Sequence, residues 1–488
     1  MNYKVCISNP QDHFVQFTAE VSKTEEENLI LQLPSWRPGR YELANYAKNI
    51  RMFKAFDKQG NSLAFKKLTK DSWQISAFGI DKVEISYQYY ANQPDAGASF
   101  ADENLLYLNP VNCFMYVPAN IHLPIEVELD VPANWEIACQ LPHKGKTLLA
   151  PNFDSLADSP FFASPSLVHH TFMVEKTKIH FWFQGGTCSA MHTLEEHTRK
   201  YALAQIAIFG ELPMSDYHFL YLLLPYKFRH GVEHSNSTVI AMGPAEEMDT
   251  PEFYADFIAI SSHELFHLWN VKRIRPQEMW PYDFTKENYS ELGYVYEGVT
   301  TYYGDLMLYR SGVWSFDEYA KSLAADLDRH YNNGGRFNYS VAQSSFDTWL
   351  DGYVPGIKDR KVSIYMEGLI AALVADVQIL EATHGAKRLD QVLNQLYLDS
   401  YKKGRGYTKE MYQKSLENVS GINFNGYFSD LIDGQGKWDN YISKTLNKIG
   451  LNLIIATNDG GLAECKIVKF ENPTFEQTQF FELWTKNS

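Results

Sequence analysis

Residues 253–275 read FYADFIAISSHELFHLWNVKRIR, and they contain an H-E-x-x-H sequence formed by His263, Glu264 and His267. On an α-helix, residues four apart share one face, so both imidazoles can reach a single metal ion. Glu264 lies one step round that face, where its carboxylate can act on a water at the metal without displacing a ligand. Neutral imidazoles suit zinc, and a catalytic zinc site takes three protein ligands and leaves one position open. The stretch therefore predicts a buried helix that carries part of a zinc site.

A third ligand is needed, because H-E-x-x-H also arises by chance. Further along the chain, residues 294–308 (YVYEGVTTYYGDLML) predict a second helix with Glu297 in its first turns. An H-E-x-x-H followed by a helical Glu-Gly is similar to the gluzincin pattern of metallopeptidases, in which a carboxylate completes a site of two histidines and one glutamate. We therefore expect Glu297 to be the third zinc ligand rather than a solvated surface acid.

Composition excludes several other classes of protein. A length of 488 residues suggests about two or three domains, and a formal net charge of −15 argues against a nucleic-acid surface. No stretch approaches the roughly 18 apolar residues of a membrane span, and the first residues, MNYKVCISNPQDHF, lack the layout of a secretory signal. The five cysteines are scattered and odd in number, which is typical of a reducing compartment. We expect a cytoplasmic protein that binds neither nucleic acid nor membrane.

The first part of the chain predicts a β domain over residues 1–168. Apolar residues alternate with polar ones at 83–89 and at 125–131, which indicates half-buried strands. Frequent prolines suit a sandwich-like module with short strands. The segment WRPGRY at residues 36–41 is distinctive, and it has two interpretations, an ordinary turn or a functional segment.

From about residue 169 the pattern becomes mixed and then mainly helical. Strands are predicted at 179–183, 219–224 and 238–242, and helices at 195–208, 365–382, 389–397 and 411–419. The expected fold class is α+β and multidomain, with the metal site in a domain spanning residues 169–440. A short C-terminal segment, residues 441–488, contains strand-like stretches at 451–455 and 465–470.

Several ordered motifs, spread over nearly the whole chain, resemble the glycyl aminopeptidase family of gluzincin metallopeptidases. They are HELFHLWNVKRIRP at 263–276, YEGVTTYY at 296–303, GVEHSNS at 231–237, SSFDTW at 344–349, YMEG at 365–368 and WRPGRY at 36–41. The resemblance implies an N-terminal fibronectin-like β domain and a thermolysin-like catalytic domain. It also implies one zinc ion per chain, held by His263, His267 and Glu297.

The resemblance implies roles for further residues. Glu264 would be the general base for a metal-activated water, and Tyr365 would donate its hydroxyl to the developing oxyanion, unless it is an ordinary core tyrosine. Gly231 and Glu233 match an edge strand whose backbone pairs with substrate and whose glutamate binds the free α-amine. Glu233 could instead only stabilise a loop.

The sequence departs from the family at two points. Members commonly end in a PDZ-like domain, for which residues 441–488 are too few, so this segment is expected to be a remnant or a truncated one. The family's helix usually carries a lysine where this chain has Glu367, which changes the local electrostatics.

The activity that this resemblance implies is that of a zinc aminopeptidase. It would release small first residues, glycine or alanine, from peptides with a free N-terminus. A zinc endopeptidase with the same ligands is the nearest alternative, and a non-catalytic binding protein of the same fold is a more distant one.

Overall fold

The computed structural model describes residues 1–22 and 28–487 and confirms the predicted α+β class, with a β-rich N-terminal part and a helical C-terminal part. Its residues group into two compact units. We call the first the strand unit, which comprises Met1–Ser189, Met214–Phe253 and Asp283–Glu287. The second, the helical unit, comprises Ala190–Pro213, Tyr254–Tyr282 and Asn288–Ser488. The domain limits predicted near residues 168 and 440 stay predictions.

The strand unit contains short strands separated by turns, together with the small helices α1 (Pro110–Cys113) and α2 (Phe153–Ala157). The strands predicted from the alternation of apolar residues at 83–89 and 125–131 are present. In chain order the strands are β1 (Asn2–Asn9), β2 (Phe14–Ser22), β3 (Asn28–Gln32), β4 (Ile50–Asp57), β5 (Phe65–Thr69), β6 (Ser72–Ser76), β7 (Lys82–Tyr90), β8 (Phe100–Ala101), β9 (Leu106–Leu108), β10 (Ile125–Asp130), β11 (Glu136–Cys139), β12 (His143–Lys144), β13 (Thr147–Ala150), β14 (Phe161–Ser164), β15 (Val168–Val174), β16 (Thr177–Gln184), β17 (Asp216–Leu223), β18 (Phe228–Glu233) and β19 (Ser237–Gly243).

These strands form four sheets. The largest has the order β12-β13-β10-β1-β2-β7-β4 and is antiparallel except for the β1–β10 pair. Two smaller sheets have the orders β11-β14-β9-β8 and β3-β6-β5. Alternate side chains of β7 are buried, including Val83, Ile85 and Tyr87, because successive residues of a strand point to opposite faces.

The fourth sheet is mixed and has the order β15-β16-β17-β19-β18. Strands β17 and β19 are parallel neighbours in its interior and are buried on both faces, which explains their nearly continuous apolar sequences. One face packs against β9 and β14, where Leu220, Val232 and Val239 share a core with Tyr107 and Phe162. In the part of the chain that the structure describes, the outer strand β18 pairs with β19 alone.

The helical unit is built mainly from α-helices. No helix among the described residues has both the length and the apolar character that crossing a bilayer requires. The predicted helices at 195–208, 365–382, 389–397 and 411–419 are confirmed. The elements are α3 (Met191–Phe209), α4 (Pro251–Phe266), α5 (Thr300–Arg310), α6 (Phe316–Tyr331), α7 (Val341–Phe346), α8 (Thr348–Asp351), α9 (Ile364–Ala382), α10 (Leu389–Asp399), α11 (Lys409–Ser420), α12 (Asn425–Tyr427), α13 (Trp438–Lys448), β20 (Leu451–Thr457), β21 (Ala463–Lys469) and α14 (Phe475–Thr485).

The C-terminal segment is folded into the helical unit. Its predicted strand-like stretches form the antiparallel hairpin β20–β21, and the helix α14 that follows was not predicted. The sequence does carry a signal for it, since Thr474 and Gln477 form a capping box at its start. Helix α14 buries Trp484 completely. The Trp484 indole N–H donates to the Tyr302 hydroxyl at 2.7 Å.

A buried ionic cluster joins α14 to three other helices. Arg310 of α5 lies 3.1 Å from Asp390 of α10 and 3.6 Å from Asp376 of α9, and its Nε donates to the Trp484 carbonyl at 2.9 Å. Burial raises the pKa of Asp376, although the Arg310 charge opposes that shift. A buried arginine needs such partners, because an unpaired buried charge is strongly destabilising.

Truncating Trp484 should therefore destabilise the helical unit. We expect Trp484→Ala to lower the free energy of unfolding by about 3–5 kcal/mol, because it leaves a cavity and removes the hydrogen bond to Tyr302. Urea denaturation followed by circular dichroism measures the loss. The matched control is Phe475→Ala in the same helix, where the side chain is 85% exposed and a change within about 0.5 kcal/mol is expected. Equal stability of the two variants would contradict this role of Trp484.

Candidate active site

The H-E-x-x-H sequence lies at the C-terminal end of α4. The helix itself ends at Phe266, one residue before the second histidine. The His267 amide still donates to the His263 carbonyl at 3.3 Å, and the Val271 amide donates to the His267 carbonyl at 3.2 Å. The helical hydrogen-bond pattern therefore continues past His267, and the two imidazoles share one face as predicted.

Two imidazole nitrogens and one carboxylate oxygen converge at this end of α4. The Nε2 atoms of His263 and His267 are 3.1 Å apart, and Glu297 Oε2 lies 3.4 Å from His267 Nε2. Ligand atoms about 2.0–2.1 Å from one tetrahedral zinc ion would be about 3.3–3.4 Å apart. The His267 and Glu297 side chains are each only 3% exposed. This donor set fits a zinc ion, and the structure brings together the three residues predicted to bind it.

The tautomer of His267 suits a metal ligand. Its Nδ1 lies 2.7 Å from the carbonyl oxygen of Asn270. A carbonyl oxygen can only accept, so Nδ1 carries the hydrogen and Nε2 keeps its lone pair for the metal. Metal-binding histidines usually donate their other ring N–H to such an acceptor, which fixes the ring orientation.

Asn270 also connects the two segments that carry the donor atoms. Its side-chain amide donates to the Val295 carbonyl at 2.8 Å and to the Thr300 hydroxyl at 3.1 Å. The Thr300 hydroxyl in turn lies 2.8 Å from the Asn270 carbonyl that orients His267. Neither Asn270 nor Thr300 was predicted from the sequence to belong to the site. The only signal was the position of Asn270, a polar residue three places after His267 in an otherwise apolar stretch.

Glu297 lies in a π-helical turn rather than in a regular α-helix. This turn spans Tyr294–Val299 and leads directly into α5. Single π-turns within helices are rare and frequently occur at functional sites. The predicted helix is therefore confirmed, with a local change of pitch at the proposed ligand.

The π-turn packs against α9 through two glycines. A Cβ atom on Gly298 would lie 2.2 Å from the Gly368 Cα, and a Cβ atom on Gly368 would lie 2.6 Å from the Gly298 Cα. Both distances are too short for any side chain, so the two backbones are in direct contact. The contact joins the segment next to Glu297 to the helix that carries Tyr365.

Tyr365 lies in the first turn of α9, after Ser363, whose side chain caps the helix. Tyr365 is partly exposed and lines a cleft of about 290 Å³ with Tyr353 and Lys361. A partly exposed tyrosine at a cleft differs from the core tyrosine that was the alternative interpretation.

Glu367, which departs from the family pattern, is buried two residues after Tyr365. Its carboxylate accepts a hydrogen bond from His330 Nδ1 at 3.0 Å. The other ring nitrogen of His330 faces the Arg336 guanidinium at 3.2 Å. The Glu367 carboxylate therefore has a partner of its own in α6.

Gly231 and Glu233 belong to the strand unit. Both lie on the outer strand β18, opposite Ile240 and Thr238 of β19. This position confirms that the GVEHSNS motif begins on an edge strand. The Glu233 side chain is buried.

The chain is similar in structure to solved aminopeptidases. An aminopeptidase N family protein from Idiomarina loihiensis matches with a TM-score of 0.88 and 25% identity, over 95% of this chain and 81% of that one. An M1 zinc metallopeptidase from Deinococcus radiodurans, bound to a Tyr-Ser-Ala substrate, matches with a TM-score of 0.54 and 14% identity, over 89% and 93%. Aminopeptidase A from Legionella pneumophila, in complex with aspartic acid, matches with a TM-score of 0.53 and 13% identity, over 96% and 52%. No curated protein sequence matches the chain significantly.

Two family models match the sequence. The Peptidase M61 N-terminal domain matches residues 2–165, and the M61 glycyl aminopeptidase domain matches residues 256–371. The second match contains the H-E-x-x-H sequence, Glu297 and Tyr365. Together the two matches cover more than half of the chain, in the order expected of one protein. The chain therefore belongs to the M61 glycyl aminopeptidase family of peptidases.

Proposed function

We propose that this protein is a zinc-dependent aminopeptidase that releases glycine or alanine from peptides with a free N-terminus. The observation that carries the proposal is the convergence of His263 Nε2, His267 Nε2 and Glu297 Oε2 at one site, where His267 and Glu297 are buried and His263 is partly buried. Family membership supports aminopeptidase activity. The complexes of the Deinococcus and Legionella proteins, which contain a peptide and an amino acid, support peptides as the substrate class.

The three donors would hold one zinc ion per chain. When bound, zinc would act as a Lewis acid and lower the pKa of a water molecule towards ~7. His267 is held for this role by the Asn270 carbonyl. The Glu297 carboxylate is only 3% exposed, and burying a carboxylate is costly without a compensating charge, which a divalent cation would supply.

Glu264 and Tyr365 would carry out the proton transfer and the oxyanion stabilisation. Glu264, buried on α4 beside His263, accepts a proton from the attacking water and delivers it to the leaving amine. The Tyr365 hydroxyl donates a hydrogen bond to the substrate carbonyl oxygen as negative charge develops on it. Glu264 thus acts on the attacking water, and Tyr365 on the carbonyl oxygen, and both change charge during the reaction.

Glu233 would restrict the enzyme to free N-termini. A buried carboxylate that faces a substrate ammonium forms a charge-assisted hydrogen bond, which is stronger than a neutral one. Without this contact the same ligands would serve an endopeptidase, which is the main alternative. A non-catalytic binding protein is less consistent with a complete set of donors and an intact Glu264.

The first prediction for the active site separates metal binding from chemistry. Glu297→Ala should lose zinc, because the site keeps only two ligands, whereas Glu264→Gln should retain about one zinc per chain. In Glu264→Gln we expect kcat to fall by about 10²–10⁴, since the base is lost. Metal analysis after dialysis, together with steady-state kinetics, measures both effects. Full zinc occupancy in Glu297→Ala would contradict the ligand assignment.

A second prediction concerns the hydroxyl of Tyr365. Tyr365→Phe should lower kcat by about 10²–10³ and leave KM nearly unchanged, because the contact forms in the transition state. The control is Tyr226→Phe, which removes the hydroxyl of an exposed tyrosine and should leave both constants unchanged. A Tyr365→Phe enzyme with the kcat of the unmodified protein would rule out the oxyanion role.

The third prediction tests selectivity for the free amine. The unmodified enzyme should cleave Gly- and Ala-anilides faster than Leu-anilide, and acetyl-Ala-anilide only poorly. Glu233→Ala should lower kcat/KM for the free-amine substrates by about 10–100-fold, which corresponds to one hydrogen bond to a charged group. It should hardly change the low rate on the capped substrate. Equal cleavage of capped and free substrates by the unmodified enzyme would favour the endopeptidase instead.

A further inference from the structure

The WRPGRY segment at residues 36–41 forms a tight turn in the strand unit, anchored at both ends. The Trp36 and Tyr41 side chains are fully buried, and the Trp36 indole N–H donates to the Asp283 carbonyl at 2.7 Å. Between them, the Arg40 amide donates to the Arg37 carbonyl, and Gly39 has a φ of +79°. Glycine adopts this conformation without strain. The turn is therefore a rigid projection rather than a loose connection.

The tip of this turn lies directly against the carboxylate of Glu233. A Cβ atom on Gly39 would lie 2.5 Å from Glu233 Oε2, 3.0 Å from Oε1 and 3.1 Å from Cδ. No side chain fits at such distances, so any other residue at position 39 would displace the carboxylate. Glu233 is only 4% exposed. The backbone of the turn thus forms one wall of the space that the carboxylate occupies.

A second contact links the WRPGRY turn to β18, the strand that carries Glu233. Arg37 is buried, and its guanidinium lies 3.4 Å from His230 Nε2 on β18. Arginine can only donate, so Nε2 accepts and the other ring nitrogen, Nδ1, carries a hydrogen towards Asp95 Oδ1 at 3.6 Å. Burial lowers the pKa of His230, and the Arg37 charge lowers it further, while Asp95 opposes both effects. The Arg37–His230–Asp95 chain therefore holds β18 three residues before Glu233.

We propose that the WRPGRY turn sets amine selectivity and that Gly39 is a positioning residue for Glu233. The inference rests on the proposed function, in which Glu233 binds the substrate α-ammonium. A glutamate side chain has several rotamers, and fixing one of them in advance reduces the entropy lost when substrate binds. The turn thus contributes to recognition without itself touching the substrate. The WRPGRY segment is then a functional turn, which combines the two interpretations that the sequence left open.

The test is a double-mutant cycle between positions 39 and 233. Gly39→Ala should lower kcat/KM on Ala-anilide by about tenfold or more, mainly through a higher KM, because the amine contact already exists in bound substrate. It should leave the rate on acetyl-Ala-anilide unchanged. In a Glu233→Ala background, Gly39→Ala should cause no further loss, because the carboxylate that it displaces is absent. An equal loss in both backgrounds would overturn the proposal.

A matched control separates the steric clash with Glu233 from the backbone strain of alanine at positive φ. Gly60 has a φ of +83° in another turn of the strand unit, and a Cβ atom there would meet no atom within 4 Å. Gly60→Ala should therefore show the stability cost of alanine at positive φ and leave KM on Ala-anilide unchanged. A rise in KM in Gly60→Ala as large as that in Gly39→Ala would also overturn the proposal.

The remaining outcomes are equally decisive. If Gly39→Ala fails to fold, the Gly39→Ala/Glu233→Ala double variant becomes the readout, since removing the carboxylate should restore folding. A double variant that stays unfolded while Gly60→Ala folds would mean that the turn serves only the fold. If Glu233→Ala leaves the preference for free amines intact, the assignment of Glu233 to the substrate amine is wrong. If Glu233→Ala lowers kcat/KM on free-amine substrates and Gly39→Ala does not, the role of Gly39 is refuted and the proposed amine site stands.

Discussion

The direct contact between Gly298 and Gly368 is the constraint on which the candidate active site depends. With no Cβ atoms between them, the π-turn and α9 approach to backbone distance, which places Glu297 one residue and Tyr365 three residues from the same crossing. In a second close approach, a Cβ atom on Gly304 of α5 would lie 3.1 Å from the Cα of His263 in α4. Backbone contacts vary less than contacts between flexible side chains, so these glycines define the geometry of the site. The glycines of the YEGVTTYY and YMEG motifs therefore contact each other.

Polar groups inside the helical unit are held in pairs and chains. His267 forms a hydrogen bond with Asn270, which in turn donates to Val295 and Thr300. Glu367 accepts a hydrogen bond from His330. The Arg310 cluster joins α5, α9, α10 and α14 in the same way, through ion pairs and a hydrogen bond. Burying such groups is costly unless each finds a partner. The three proposed zinc ligands follow the same logic, because a shared cation would compensate a carboxylate and orient two imidazoles.

The strand unit holds the proposed amine carboxylate in place through a turn of its own. Its mixed sheet ends in β18, and the WRPGRY turn packs against that strand at His230 and at Glu233. The turn is itself fixed by two buried aromatic residues. An activity that requires a free N-terminus needs a rigid element to recognise the amine, and loops on a rigid scaffold often serve this purpose. The proposed amine carboxylate therefore lies directly against this turn.

The sequence by itself determined the fold class, most of the long elements and the zinc-binding motif. Those features are local, because the periodicity of 3.6 or 2 and the spacing of His263 and His267 are fixed within a few turns of chain. Tertiary structure alone decided the π-turn at Glu297, the Gly298–Gly368 crossing, the hydrogen bonds of Asn270 and the collision distance between Gly39 and Glu233. The last three join residues that are distant in sequence, and a glycine or an asparagine gives no sign of which backbone it will meet. The π-turn is local, but its sequence reads like that of a regular helix. Helix α14 shows the same limit, since Tyr302 and Arg310, which form hydrogen bonds with Trp484, lie in α5, more than 170 residues earlier in the chain.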